Sequence, residues 1–197
     1  MFVKICGITS AAAVEAAVHA GADAVGFVFA PSQREVAPER AAALCERLPR
    51  SIARVAVMRH PTLALWRQVW DVFAPDWLQS DAEDFAALDL PAACFALPVY
   101  RNGRARPGSG NRPARVLFEG AVSGSGLTAD WEEARDFARA TQLILAGGLD
   151  QDNVADAIRY VRPWGVDVSS GVENRPGEKD PAKIKEFVAR VRAVEES

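Results

Sequence analysis

Two residues of this 197-residue chain have the types and positions to move protons. Cys6 ends the short apolar run that starts at Val3, and Glu119 ends the run "RVLFE" at 115–119. A thiol acting as base and a carboxylic acid acting as donor suit proton transfer between carbon and oxygen, the chemistry of an isomerisation. Two further segments suit an anion: "LILAGGLDQDNV" at 143–154 and "GVDVSSGVENRPGEKD" at 165–180. Each is an apolar run ending in small residues, Ala146, Gly147 and Gly148 in the first and Ser169, Ser170 and Gly171 in the second. Small residues let backbone N–H groups approach a ligand closely, and a helix after each would add its positive N-terminal end, an arrangement that favours phosphate. Arg34 adds a guanidinium just beyond the second apolar run. Together these groups point to a sugar phosphate as the substrate.

The elements that must position these residues alternate along the chain. Strands are expected at 3–6, 24–29, 53–57, 76–79, 93–100, 115–119, 142–146 and 165–168. Helices are expected at 11–21 with Ser10 as N-cap, at 38–48 with proline in the first turn, and at 62–73, where Leu65, Val69 and Val72 share a face. Further helices are expected at 130–140, 152–160 and 181–194, with at most a short one over "DAEDFAAL". The strands are continuously apolar, as strands buried on both faces are. Eight strand–helix units imply a single-domain (β/α)8 TIM barrel spanning 1–197, whose active site gathers at the C-terminal ends of the strands. The stretch "RNGRARPGSGNRP" at 101–113 is too rich in Gly, Pro and Arg for a helix, so the fifth helix is expected to be truncated to a loop.

Composition narrows the function. A formal charge of −3 and the absence of a basic run argue against nucleic acid, and no 18-residue apolar stretch or secretory leader suggests a membrane or export. Three widely spaced cysteines fit neither a disulfide framework nor a zinc site, and two histidines leave little for a metal centre. The expectation is a cytoplasmic protein with no metal and no cofactor. A monomer is favoured, because no long exposed apolar helix face is evident.

The chain resembles the phosphoribosylanthranilate isomerase family of tryptophan biosynthesis. The resemblance lies in "VKICGIT" at 3–9, "GADAVGFVFAPS" at 21–32, "LAGGLDQDNV" at 145–154 and "DVSSGVENRPGEKD" at 167–180. "REVAPE" at 34–39 and the Asp130–Trp131 pair match more weakly. The resemblance implies an intramolecular oxidoreductase that needs no cofactor. It would rearrange N-(5-phosphoribosyl)anthranilate to 1-(2-carboxyphenylamino)-1-deoxyribulose 5-phosphate by Amadori chemistry. It assigns Cys6 as general base, the strand-six acid as general acid, and Arg34 to the anthranilate carboxylate. Gly147, Gly148, Ser169, Ser170 and Gly171 would hold the phosphate.

The chain departs from the family in three places. Glu119 stands where the family has aspartate, in a pattern like "LLLD". The loop after it, "GSGLTADW", lacks the lysine and phenylalanine of "GGTGKTFDW", and "LQSD" replaces "QLHG" at strand four, putting Gln79 and Ser80 in place of His and Gly. Two other readings remain open on the residues alone. One is an isomerase of another aminated ribose phosphate, which is expected to use two aspartates at the ends of strands one and five. The other is a non-catalytic barrel that binds a phosphorylated ligand. Asp167 reads equally as a site residue or as a support of the barrel interior. His60 reads as an exposed loop histidine, and Cys45 and Cys94 as inert thiols.

Overall fold

The computed structural model describes residues 1–103, 113–120 and 129–195. Eight parallel strands close into a barrel in sequence order: β1 (Phe2–Cys6), β2 (Ala24–Val28), β3 (Ala53–Val57), β4 (Trp77–Asp81), β5 (Phe95–Arg101), β6 (Arg115–Glu119), β7 (Gln142–Leu145) and β8 (Gly165–Val168). The helices are α1 (Ala11–Ala20), α2 (Pro38–Leu44), α3 (Leu63–Phe73), α4 (Trp131–Ala138), α5 (Val154–Val161) and α6 (Pro181–Glu195). Local chemistry sets their ends. The side chains of Ser10, Thr62 and Asp130 accept backbone N–H bonds at the starts of α1, α3 and α4, and Gly21 closes α1 in the left-handed conformation.

Alternation along each strand splits the core in two. Ala24, Val55, Trp77, Leu97, Val99, Leu117, Ile144 and Ala146 fill the barrel interior, while residues such as Val3, Ile5, Val25, Phe27, Leu78 and Phe118 pack under the helices. The N-terminal end is plugged by Phe2 stacked between Trp77 and Trp164, with the Arg115 guanidinium over both indoles. Function is therefore left to the opposite end.

Three expectations need correction. The fourth strand runs two residues past Gln79, because Ser80 and Asp81 pair with Pro98 and Val99 of β5; pairing here overrides the low strand propensity of Ser and Asp. The helix from Pro38 stops at Leu44, where the Cys45 N–H bonds into the last turn as a C-cap, so Cys45 ends the helix rather than sitting inside it. The segment after Asp81 is a five-residue 3-10 turn, Ala82–Ala86, in keeping with the expectation of at most a short helix there. No α-helix directly follows β8: a 3-10 turn at Ser170–Val172 leads into a hairpin of β9 (Glu173–Arg175) and β10 (Glu178–Lys179) before α6. The expected truncation after β5 falls mainly on 104–112, outside the described residues.

Candidate active site

The C-terminal ends of the strands enclose a cavity of ≈ 220 Å³ whose wall includes Cys6, Arg34, Gln79, Asp81, Arg101 and Glu119. Gly147, Gly148, Ser169 and Ser170 also line it. All but one of the residues assigned from the sequence to catalysis or substrate binding therefore meet in one place. The exception is Gly171, which is not part of this wall. A Cβ there would lie 2.0 Å from the Leu149 carbonyl oxygen, so this glycine exists to let the β7 and β8 loops touch.

On β1 the inward residues are Phe2, Lys4 and Cys6. Register places Lys4 opposite Asp167 of β8 and Cys6 opposite Gly26 of β2. Lys4 is fully buried, and its Nζ donates to Asp167 Oδ1 at 2.8 Å across the strand pair that closes the barrel. A Cβ on Gly26 would stand 3.2 Å from Lys4 Nζ and 3.3 Å from Cys6 Sγ, so the missing side chain makes the space in which ammonium and thiol meet. Burial pushes the Cys6 thiol up from its ordinary value, and the Lys4 ammonium pulls against that rise through charge and a hydrogen bond. Burial disfavours charge on Lys4 too, but Asp167 and Cys6 outweigh it and hold Lys4 protonated. Sequence reading leaves Lys4 unnoticed and Asp167 undecided; the structure gives them one shared task beside the thiol. The other two thiols are inert by burial, Cys45 pushed up to about 11 and Cys94 to about 12.

Arg34 lies in the loop after β2, held by a two-pronged ion pair. Its Nε and Nη2 donate to Glu173 Oε1 and Oε2, each at 2.8 Å. Glu173 is also bonded by the buried Lys179 Nζ at 2.6 Å, and Lys179 reaches the Ser169 carbonyl and hydroxyl at 3.0 and 3.2 Å. Burial opposes the charge of Glu173, yet its bonds from Arg34 and Lys179 keep the carboxyl below the ordinary carboxylate range. The hairpin thus fixes Arg34 and the Ser169 loop in one network. The "GVENRPGEKD" segment is legible as a motif, but the pairing of Glu173 and Lys179 with Arg34 is not.

The far side of the cavity is built differently. Glu119 ends β6, and its register partner on β5 is Arg101, a residue that the sequence pattern places in a loop. Arg101 is buried, and it pairs with Glu119 at 2.8 Å through Nη2 and with Asp81 through Nη1. Asp81 also faces His60 Nε2 at 3.2 Å, while His60 Nδ1 faces Asp84 at 2.9 Å. His60 is half exposed, as expected, but it is tied down rather than loose. His60, Asp81 and Glu83 bring ligand-type atoms within 4.8 Å of one another, although both imidazole nitrogens already face carboxylates. Gln79 is buried in the wall, and its Oε1 has no hydrogen-bond partner among the described residues.

This arrangement offers a thiol beside a cation, a carboxyl across the cavity, and two small-residue loops between them. The N-(5'-phosphoribosyl)anthranilate (PRA) isomerase family profile matches residues 3–190. A protein of that name from Streptococcus pneumoniae (strain Taiwan19F-14) is 42% identical over 193 residues, covering 96% of this chain and 95% of that protein. The solved phosphoribosyl anthranilate isomerase of Thermus thermophilus superposes with a TM-score of 0.86 at 31% identity, covering 98% of this chain and all of that one. Another solved phosphoribosyl anthranilate isomerase is in complex with reduced 1-(o-carboxyphenylamino)-1-deoxyribulose 5-phosphate. It is similar at a TM-score of 0.80 and 30% identity, covering 98% of this chain and 99% of that chain.

Proposed function

The chain belongs to the phosphoribosylanthranilate isomerase family, and from that premise we propose that Cys6 and Glu119 are the base and acid of its reaction. The activity is the rearrangement of N-(5-phosphoribosyl)anthranilate to 1-(2-carboxyphenylamino)-1-deoxyribulose 5-phosphate, a step of tryptophan biosynthesis that belongs to the isomerases. In the proposed cycle Glu119 protonates the furanose ring oxygen, and the C1′–O bond breaks to leave an open-chain iminium. The Cys6 thiolate takes the C2′ proton, and the C–H electron pair forms the enolamine. Tautomerisation of the enolamine yields the ketone.

One observation carries this reading: the thiol with its ammonium neighbour and the strand-six carboxyl face the same cavity. A thiolate needs a nearby cation in a buried place, and the Lys4–Asp167 pair supplies one at the base. The Gly147–Gly148 and Ser169–Ser170 backbones are the proposed phosphate site; both glycines have positive φ, which turns the chain sharply beneath the ligand. The anthranilate carboxylate is assigned to Arg34, approached past the edge that Glu173 already holds. We also propose a cytoplasmic monomer. Among the described residues no helix is long and apolar enough to cross a membrane. Among the same residues the most exposed large apolar side chain is Phe95, and α3 exposes Leu63, Leu65 and Val72 only in part. Sedimentation would reveal a dimer.

The test is to supply freshly made phosphoribosylanthranilate, which fluoresces through its aminobenzoate, and to follow its disappearance. Turnover that depends on Cys6 is expected. Tight binding with no turnover would leave a phosphate-ligand-binding barrel instead.

A further inference from the structure

One guanidinium serving two carboxylates on flanking strands is the least ordinary feature of the cavity wall. Arg101 ends β5 as register partner of Glu119, while Asp81 reaches it from β4. All three line the cavity, and Asp81 and Arg101 are buried. A buried arginine is costly unless paired, and burial does oppose the charge here; Glu119 and Asp81 outweigh that opposition. Arginine stays protonated, so it cannot pass a proton itself. Its contribution must be to geometry and charge.

We propose that Arg101 is a positioning residue for proton transfer: it aims the Glu119 carboxyl and stabilises the carboxylate that remains once the proton has left. The proposal rests on reading Glu119 as the acid. Glutamate has one more side-chain torsion than aspartate, so its carboxyl sweeps a wider arc from the same backbone position. Proton transfer needs heavy atoms within hydrogen-bond reach, and an error of about 1 Å costs up to about a hundredfold. The Arg101 Nη2–Glu119 Oε1 bond at 2.8 Å removes that freedom. Asp81 holds the other prong, and His60, itself anchored by Asp84, holds Asp81.

The experiment measures kcat and KM by fluorescence for R101M, R101K, D81N, E119Q and the double variant E119Q/R101M. R101M is expected to lower kcat about 10- to 100-fold with KM within about threefold, because geometry at the reacting atoms is lost and binding is not. R101K, which restores the charge but not the fork, should fall between R101M and wild type. D81N should lower kcat less than R101M does. In the E119Q background R101M should cost less than about twofold more, since two residues acting as one unit are not additive. A raised KM at unchanged kcat would make Arg101 a substrate contact and overturn the proposal. So would an equal loss in the E119Q background. If R101M does not fold, judged by near-UV circular dichroism, R101K and D81N decide the same question through their KM and kcat. E119Q turning over like wild type would sink the acid assignment itself. An inactive E119Q beside an unimpaired R101M would sink only the positioning role.

Discussion

The two sides of the barrel mouth solve the same problem, holding charge out of water, in opposite ways. On the β8–β1–β2 side, cations outnumber carboxylates: Lys4 pairs with Asp167, while Arg34 and Lys179 share Glu173. On the β4–β6 side, among the described residues, the buried Arg101 divides itself between Asp81 and Glu119. The base side follows directly from strand register, because Lys4 and Asp167 are Cα partners and Gly26 lies opposite Cys6. The acid side depends on long side chains meeting across three strands, so a change in one alters what the others can do. On the roles proposed for Cys6 and Glu119, the base is fixed by backbone register and the acid by side-chain partners.

The comparison can be broken most sharply at the thiol. Cys6→Ala should lower kcat by about 10²–10⁴ with little change in KM, the usual scale for a positioned base. Ala at Cys45 or Cys94 should leave kcat near wild type. Half of wild-type kcat in Cys6→Ala would remove the base side from the chemistry altogether.

Next in size comes the acid. Glu119→Gln keeps shape but not acidity, and should reduce kcat by about 10²–10³ while product binding stays nearly intact. Glu119→Asp is the finer measure. If Arg101 is built for glutamate, the shorter side chain falls short of both guanidinium and ring oxygen, and kcat should drop below wild type. An aspartate variant as fast as wild type would show that the two sides are equally tolerant.

The phosphate loops lie between the two sides and should respond in KM. Ser170→Leu places a bulky group in the cavity wall and should raise KM by about tenfold or more, with inorganic phosphate losing its competition against substrate. Unchanged KM would move the phosphate elsewhere.

The smallest effect expected is a change in pH dependence. Cys6 must lose its proton to act, and burial has raised the thiol, so kcat/KM should climb as pH rises through the thiol's titration. Lys4→Met removes the cation that opposes this rise. The limb should then move to higher pH, and activity near neutrality should fall about tenfold if the limb moves by about one pH unit. Iodoacetamide should alkylate Cys6 more slowly at a fixed pH in the same variant, in a background lacking the other two thiols. A limb that stays in place would detach Lys4 from the base.

Much of this was written locally. Eight apolar runs, their capping residues and their turns specify strands and helices by short-range sterics and hydrogen bonding, and buried strands on both faces leave few architectures besides a barrel. Cys6, Glu119 and the two small-residue loops were legible because a residue's place at the end of a strand is itself a sequence feature. What stayed hidden was partnership. Lys4 and Asp167 are 163 residues apart, and nothing in either neighbourhood says that one will neutralise the other. Arg101 reads as part of a polar loop until pairing with β6 draws it into a strand and aims it at Glu119, and Asp81 is brought inward in the same way by β5. At Gly171 the structure adds what the sequence does not show: the β7 and β8 loops meet there too closely for a side chain. Sequence sets which groups exist and at which strand end they stand. Only closure of the barrel decides which charges share a low-dielectric space, because Coulomb energy depends on distances between strands that no local pattern encodes.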